Sequence, residues 1–245
     1  MGRHRKIAVL FDVDDTLYDQ TMPFVQAYGK YFGDALPVSA EELFPVTRKY
    51  SNAVFSRALA GEITMEDLYI CRLKKALEEF GVEISEQEAL TFQQVYEECQ
   101  KHIRMTPLME EILAWCADRA LLGIITNGLS GHQWEKIRGL RAERWIPEEY
   151  IFVSGDVGAV KPDRQIFDYA RDRMHMEEGN IWFVGDAYDM DVEGAMNAGW
   201  NAVWMNRRGR KRPDGAEEPA YEVRTEAELF QVMKKIAGRY HKLEA

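Results

Sequence analysis

The chain has 245 residues, of which 46% are apolar, 29% charged and 11% aromatic; this is a globular composition that excludes intrinsic disorder and allows one large domain or a core with a substantial insertion. Its 31 basic residues against 41 acidic ones give a formal charge of -10, so the long-range field repels polyanions and excludes nonspecific binding to a nucleic-acid polymer. Small anions remain admissible where a metal or local cations receive them.

In chain order, a basic stretch, Met1 to Lys6, leads into the apolar run Ile7–Phe11, which is too short for a signal sequence and meets Asp12, Asp14 and Asp15 at once. That run predicts the first strand. From Leu17 to Met105 no strand pattern occurs; the apolar spacing predicts helices over Phe24–Phe32, Ala40–Leu59, Met65–Phe80 and Glu86–His102, punctuated by Gly33, Gly61 and Gly81. A connection this long reads as a helical subdomain inserted after the first strand. Beyond it come a helix over Pro107–Ala117, strands at Leu121–Ile125 and Tyr150–Val153, a helix over Gln165–Arg173, a strand at Ile181–Val184, a helix over Val192–Ala198 closed by Gly199, and a fifth strand at Ala202–Met205. Arg207 to Pro213 reads as a solvated basic loop and Ala227–Tyr240 as a terminal helix. Strands that are continuously apolar rather than alternating are buried on both faces, the mark of a parallel sheet flanked by helices. The fold class expected is therefore α/β, with a parallel-sheet core over 1–16 and 106–245 and a helical insertion over 17–105.

The three cysteines, Cys71, Cys99 and Cys116, are an odd number in no metal-ligand spacing, which fits a reducing, cytoplasmic setting. No apolar run approaches the ~18 to 20 residues of a membrane span.

The polar residues that follow the strands carry the chemistry. The first strand runs into Asp12-Val13-Asp14-Asp15-Thr16, the second into Thr126-Asn127-Gly128, the third region into Val160-Lys161-Pro162, and the fourth into Gly185-Asp186 with Asp189 and Asp191 behind. In a parallel sheet these ends share one edge, where α/β folds bind ligands. Carboxylates crowded there raise one another's pKa unless a cation intervenes, and an oxygen-only donor set favours Mg²⁺, which also admits a phosphate to an acidic site. Lys161 adds a compact positive charge, and Thr16, Thr126 and nearby N–H groups are candidates for holding phosphate oxygens. In Asp12-x-Asp14 the first carboxylate can attack phosphorus, and the second can protonate the leaving oxygen and later deprotonate water.

The ordered set Asp12-Val-Asp14-Asp-Thr16, Thr126-Asn-Gly128, Lys161-Pro162 and Gly185-Asp186-(four residues)-Asp191 resembles the four motifs of the haloacid dehalogenase-like phosphohydrolase superfamily, and the helical insertion sits where that family carries its C1 cap. The resemblance implies a Rossmann-like core, Asp12 as nucleophile, Asp14 as general acid and base, and Lys161 steadying the nucleophile and phosphoryl group. It also implies Thr126 as a phosphate ligand beside Asn127 and Gly128, and Mg²⁺ held by the Asp12 side chain, the Asp14 main-chain carbonyl and Asp186, with Asp191 supporting from behind. Asp189 reads as a helix cap or spare ligand.

Ile124-Ile-Thr-Asn-Gly128, Val157-Gly-Ala-Val-Lys-Pro162, Ile166-Phe-Asp-Tyr-Ala170 and Asn197-Ala-Gly199 with Trp204-Met-Asn206 are similar to the subgroup of pyrimidine 5'-nucleotidases and N-acylneuraminate-9-phosphatases. The expected activity is Mg²⁺-dependent hydrolysis of a small phosphorylated metabolite, with a nucleoside 5'-monophosphate preferred. The alternatives are a sugar-phosphate or glycolytic phosphate substrate, or a phosphomutase of the same superfamily. Asp14 argues against the dehalogenase branch, whose leaving halide needs no proton. The expected assembly is a monomer or homodimer.

Overall fold

The computed structural model describes residues 7–241; the basic segment Met1 to Lys6 lies outside them. In chain order the elements are β1 (Ala8–Phe11), α1 (Thr21–Tyr31), α2 (Ala40–Leu59), α3 (Met65–Glu78), α4 (Glu86–Gln100), α5 (Pro107–Ala117), β2 (Leu121–Thr126), α6 (Ser130–Leu140), β3 (Ile151–Val153) and α7 (Ser154–Val157). There follow α8 (Arg164–Met174), β4 (Ile181–Gly185), α9 (Glu193–Asn197), β5 (Asn201–Met205), β6 (Tyr221–Val223) and α10 (Glu226–His241). The chain divides into two units, Met1–Asp19 with Arg104–Ala245, and Gln20–Ile103.

The first unit is built on a six-stranded sheet in the order β3-β2-β1-β4-β5-β6, with every neighbouring pair parallel. Ala8, Val9, Leu10 and Phe11 are all buried, because β1 lies between β2 and β4 and is covered on both faces. The chain winds outward from β1 to β3 and then returns to place β4 on the other side of β1. That reversal makes the β1/β4 boundary a topological switch point, where the loops after adjacent strands part and leave a crevice. On one face of the sheet Phe167 packs edge-on against Phe183 and Trp200, with ring centroids 5.6 and 5.2 Å apart.

Three elements escape the apolar pattern: β6, α6 and the four-residue α7, the last too short to show a helical period. Strand β6 is three residues long and carries Glu222 on its exposed side, so it has no apolar run to detect. Helix α6 buries Gln133 and Lys136 together with Ile137 and Leu140; half of its inward stripe is polar and the hydrophobic periodicity is broken. The helix expected over Val192–Ala198 is preceded by a π-helical turn, Tyr188–Val192.

The second unit is helical. Thr64 and Ser85 each close a reciprocal capping box, with Asp67 and Glu88 respectively, at the starts of α3 and α4, which satisfies the first free amides of both helices. Its core is aromatic: Phe24 meets Phe44, Phe92 and Tyr96 at centroid distances of 5.3, 5.3 and 5.6 Å. Arg72 stacks on Tyr69 and Tyr96 and bonds Gln93 Oε1 at 2.5 Å. No helix among the described residues is long and apolar enough to cross a membrane.

Candidate active site

Asp12 is fixed at the switch point by its own backbone, since its N–H donates to Val184 O at 2.9 Å and continues the β1/β4 ladder by one residue. Lys161, reached through the loop after α7, donates Nζ to Asp12 Oδ1 at 2.7 Å and to Asp191 Oδ1 at 2.6 Å. All three side chains are buried, with 3%, 9% and 2% exposure for Lys161, Asp12 and Asp191. The π-helical turn after β4 brings Asp191 inward, and Asp191 Oδ2 accepts from Ala187 N at 3.0 Å. Gly185 is what makes room: a Cβ there would stand 2.4 Å from Asp191 Oδ2.

Carboxylate oxygens of Asp12, Asp186 and Asp191 lie within 4.8 Å of one another. Desolvation raises the Asp12 pKa to about 7, with Lys161 pulling it down and Asp191 and Asp14 adding to the rise. Burial also pushes Asp186 well up, and Asp191 reinforces it. For Lys161 burial works against the charge, yet the two carboxylates it touches hold its pKa above the ordinary lysine value. Asp12 and Asp191 thus share one ammonium with Asp186 close beside them, and an oxygen-only cluster of three carboxylates fits a hard divalent cation such as Mg²⁺. Arg210 Nη1 approaches Asp186 Oδ2 from the outer side at 3.0 Å.

Asp14 has different company. Lys136 Nζ donates to both of its carboxylate oxygens, at 2.9 and 2.7 Å, Tyr18 OH donates to Oδ1 at 2.5 Å, and Gln133 Nε2 reaches Oδ2 at 3.4 Å. Asp15 carries a left-handed backbone, φ 56°, and its carboxylate pairs with Arg208 at 2.6 Å.

A family model of the haloacid dehalogenase-like hydrolases matches residues 8–199, a span that contains every one of these residues except the arginines of the following loop. The chain is a haloacid dehalogenase-like hydrolase. It is 28% identical over 233 residues to the pyrimidine 5'-nucleotidase YjjG of Escherichia coli, covering 93% of this chain and 97% of that one. It is 30% identical over 200 residues to the glyceraldehyde 3-phosphate phosphatase of Methanothermobacter thermautotrophicus, covering 81% and 85%. Its fold is similar to the crystal structure of the hydrolase YfnB of Bacillus subtilis bound to magnesium, with TM-score 0.72 and 24% identity over 94% of this chain and 99% of that chain. With phosphatase and nucleotidase relatives spanning most of its length, the hydrolase acts on phosphoric monoesters.

In the hydrolase the remaining residues singled out from the sequence take distinct places. Asn127 clamps the Lys161 main chain, donating Nδ2 to Lys161 O and accepting at Oδ1 from Lys161 N, both at 2.9 Å. Thr126 is buried and donates Oγ1 to Gln133 Oε1 at 3.3 Å. Gly128 donates its N–H to Ser154 Oγ at 2.9 Å, and a Cβ on it would come within 2.7 Å of Gln133 Nε2. The Thr16 hydroxyl is buried without a hydrogen-bond partner. Asp189 is exposed.

One expectation is corrected. The basic loop from Arg207 is not merely solvated: Arg207 donates to the main-chain carbonyls of Asp15 and Thr16 at 3.1 and 3.0 Å, Arg208 pairs with Asp15 and Asp19, and Arg210 meets Asp186. A run of arginines beside carboxylates is drawn to them, most of all to Asp15, whose charge water no longer reaches. Tyr18, Gln133 and Lys136 were also missed. Their signal was a pair of polar residues three apart, Gln133 and Lys136, on the same helical face as Ile137 and Leu140.

Proposed function

We propose that the hydrolase is a Mg²⁺-dependent phosphatase that cleaves a small phosphomonoester through a phosphoryl group carried on Asp12, with 17–105 as the inserted helical cap of its family. The observation that carries this is the shared ammonium: Lys161 held between Asp12 and Asp191, with Asp186 beside them, leaves a carboxylate oxygen fixed at the switch point within a site that needs one more cation. The Asp12 and Asp186 carboxylates and the Asp14 main-chain carbonyl would hold Mg²⁺, with Asp191 behind. Bound there, the ion supplies charge neutralisation that lets a phosphate dianion approach the acidic site.

The chain's own groups do the rest. In the first displacement an Asp12 carboxylate oxygen bonds to phosphorus, the bond from phosphorus to the leaving oxygen breaks, and the proton on the Asp14 carboxyl goes to that oxygen. In the second, water loses a proton to the Asp14 carboxylate as its oxygen bonds to phosphorus, and the bond to Asp12 breaks. Lys161 holds the nucleophile and offsets charge on the phosphoryl group, and the Asn127 clamp fixes the main chain of Lys161. The Thr126 and Thr16 hydroxyls and the Gly128 region are the proposed phosphate-binding groups.

A nucleoside 5'-monophosphate is the preferred substrate class, supported by the nucleotidase relative that spans almost the whole chain. A glycolytic or sugar phosphate is the second, favoured by the 30% identical glyceraldehyde 3-phosphate phosphatase. The test is phosphate release from a panel of nucleotides and sugar phosphates, with and without Mg²⁺, for the wild type and Asp12→Asn. Release that requires the metal and vanishes in the variant is expected. A variant that keeps the wild-type rate would remove Asp12 from the mechanism.

A further inference from the structure

Lys136 is an odd residue to find inside a helix face that packs on the sheet unit. Its side chain is 4% exposed, and both of its hydrogen bonds go to the two carboxylate oxygens of Asp14. Burying an ammonium is costly, and a buried ion pair generally contributes no more to stability than an apolar pair of the same size. Stability alone therefore does not account for a lysine here. What the pairing does achieve is geometric. A carboxylate gripped at both oxygens by one ammonium cannot turn about its χ angles, and two further donors tighten the grip: Tyr18 OH on Oδ1 and Gln133 Nε2 on Oδ2. Gln133 also donates to Asn127 O at 3.1 Å and accepts from Thr126, so α6 ties the Asp14 carboxyl to the end of β2.

We propose that Lys136 is a positioning residue for the Asp14 carboxyl, holding it where it meets the leaving oxygen, with Tyr18 and Gln133 completing the hold. This rests on Asp14 being the group that protonates the leaving oxygen. In that step the bond from phosphorus to the leaving oxygen breaks while the Asp14 proton moves to that oxygen. Lys136 forms and breaks no covalent bond in this step; it acts only through the Asp14 carboxyl that it holds. Its contribution is orientation, and proton transfer is steeply sensitive to orientation.

The readout that separates positioning from general damage is dependence on the leaving group. An alkyl phosphate such as a nucleoside 5'-monophosphate expels a poor leaving group and needs the proton, whereas p-nitrophenyl phosphate expels a stable phenolate and hardly needs it. The value of kcat/KM covers steps only through the first displacement, so the later use of Asp14 as a base does not enter. For Lys136→Met, kcat/KM on the nucleotide should fall by roughly 30- to 100-fold, within the range for general acid catalysis. On p-nitrophenyl phosphate it should fall by less than about threefold, because the proton contributes little there. Tyr18→Phe should show the same selectivity at smaller amplitude and carries the test if a thermal melt shows that Lys136→Met does not fold. Equal losses on the two esters, or no loss on the nucleotide, would overturn the proposal alone. A folded wild type that releases phosphate from neither ester would overturn the phosphatase reading and this proposal with it.

Discussion

Asp12 and Asp14 stand two residues apart at the end of one strand, in opposite electrostatic surroundings. Asp12 shares a single ammonium with Asp191 and lies within ligand distance of Asp186, whereas Asp14 has Lys136 to itself at both oxygens, with a phenol and an amide beside it. The first neighbourhood holds more carboxylates than ammonium groups; burial raises the Asp12 pKa to about 7 and pushes Asp186 well up, and the neighbouring carboxylates add to both rises. The second is balanced. The difference fits the roles proposed above: a cation is gained most where carboxylates outnumber cationic groups, and proton transfer depends on how the carboxyl is oriented. On the proposed mechanism the surplus side holds metal and nucleophile, and the balanced side handles protons.

The largest effect should come from striking the surplus side at its centre. Asp12→Asn keeps the shape but removes the attacking oxygen's charge, and phosphate release should fall by at least about a thousandfold; a rate near wild type would mean that the two neighbourhoods do not differ in the way argued. Next comes Lys161→Met, which leaves Asp12 and Asp191 facing each other without their shared ammonium. Here kcat should fall by about 100- to 1,000-fold on every ester alike. That uniform loss is the opposite of the leaving-group selectivity expected at Lys136, so measuring both variants on the same two esters tests the division directly. A selective loss at Lys161 would erase it.

The carboxylates of both sides and Lys161 were legible in the sequence, whereas Lys136, Gln133 and Tyr18 around Asp14 were not. Asp12, Lys161, Asp186 and Asp191 each follow a strand or its loop, and continuous apolar runs locate strands well because both faces of a parallel sheet are buried. Once the strands are placed, their carboxyl ends converge of necessity. Lys136 and Gln133 instead lie on α6, whose buried stripe is partly polar, so the pattern that finds helices by their apolar face passes over it. Arg207, Arg208 and Arg210 failed for a related reason. A run of exposed-looking arginines and a run of arginines drawn to buried carboxylates are the same letters, and only the meeting of residues some 190 positions apart, as in Arg207 with Thr16, tells them apart. The six-stranded parallel sheet was read correctly except for β6, too short and too polar at Glu222 to show.

The third expected effect concerns stability in the absence of divalent cations. The Asp12 pKa stands at about 7 in the folded state against an ordinary value of 3.8, so between about pH 4 and pH 7 Asp12 binds more protons folded than unfolded, and its contribution to stability falls as pH rises through that window. With chelator present, Tm should be several degrees lower at pH 8 than at pH 5, since each kcal/mol shifts a chain of this size by roughly 2 to 4 °C. Asp12→Asn should flatten the profile, and Mg²⁺ should raise Tm more at pH 8 than at pH 5. A chain that is more stable at pH 8 without metal would contradict the raised Asp12 pKa.

The smallest effect should appear at Arg210, the guanidinium that approaches Asp186 from outside at 3.0 Å with its own side chain 47% exposed. Like Lys161, it carries a charge that opposes a metal ion, but it approaches from the exposed side. Removing it as Arg210→Gln leaves Asp186 with less competition, so Mg²⁺ should bind more tightly, as read by calorimetry on the resting protein. Because exposed pairs are worth roughly 0.2 to 1 kcal/mol, the gain should be at most about fivefold in Kd. A larger gain would mean that Arg210 occupies the cation's place; weaker binding would mean that it holds Asp186 in the orientation a cation needs. The same substitution should leave the selectivity between nucleotide and p-nitrophenyl phosphate unchanged, since Arg210 pairs with Asp186 rather than with the Asp14 carboxyl, and a change in that selectivity would mean that the two neighbourhoods are coupled beyond the Asp14 charge that Asp12 already feels.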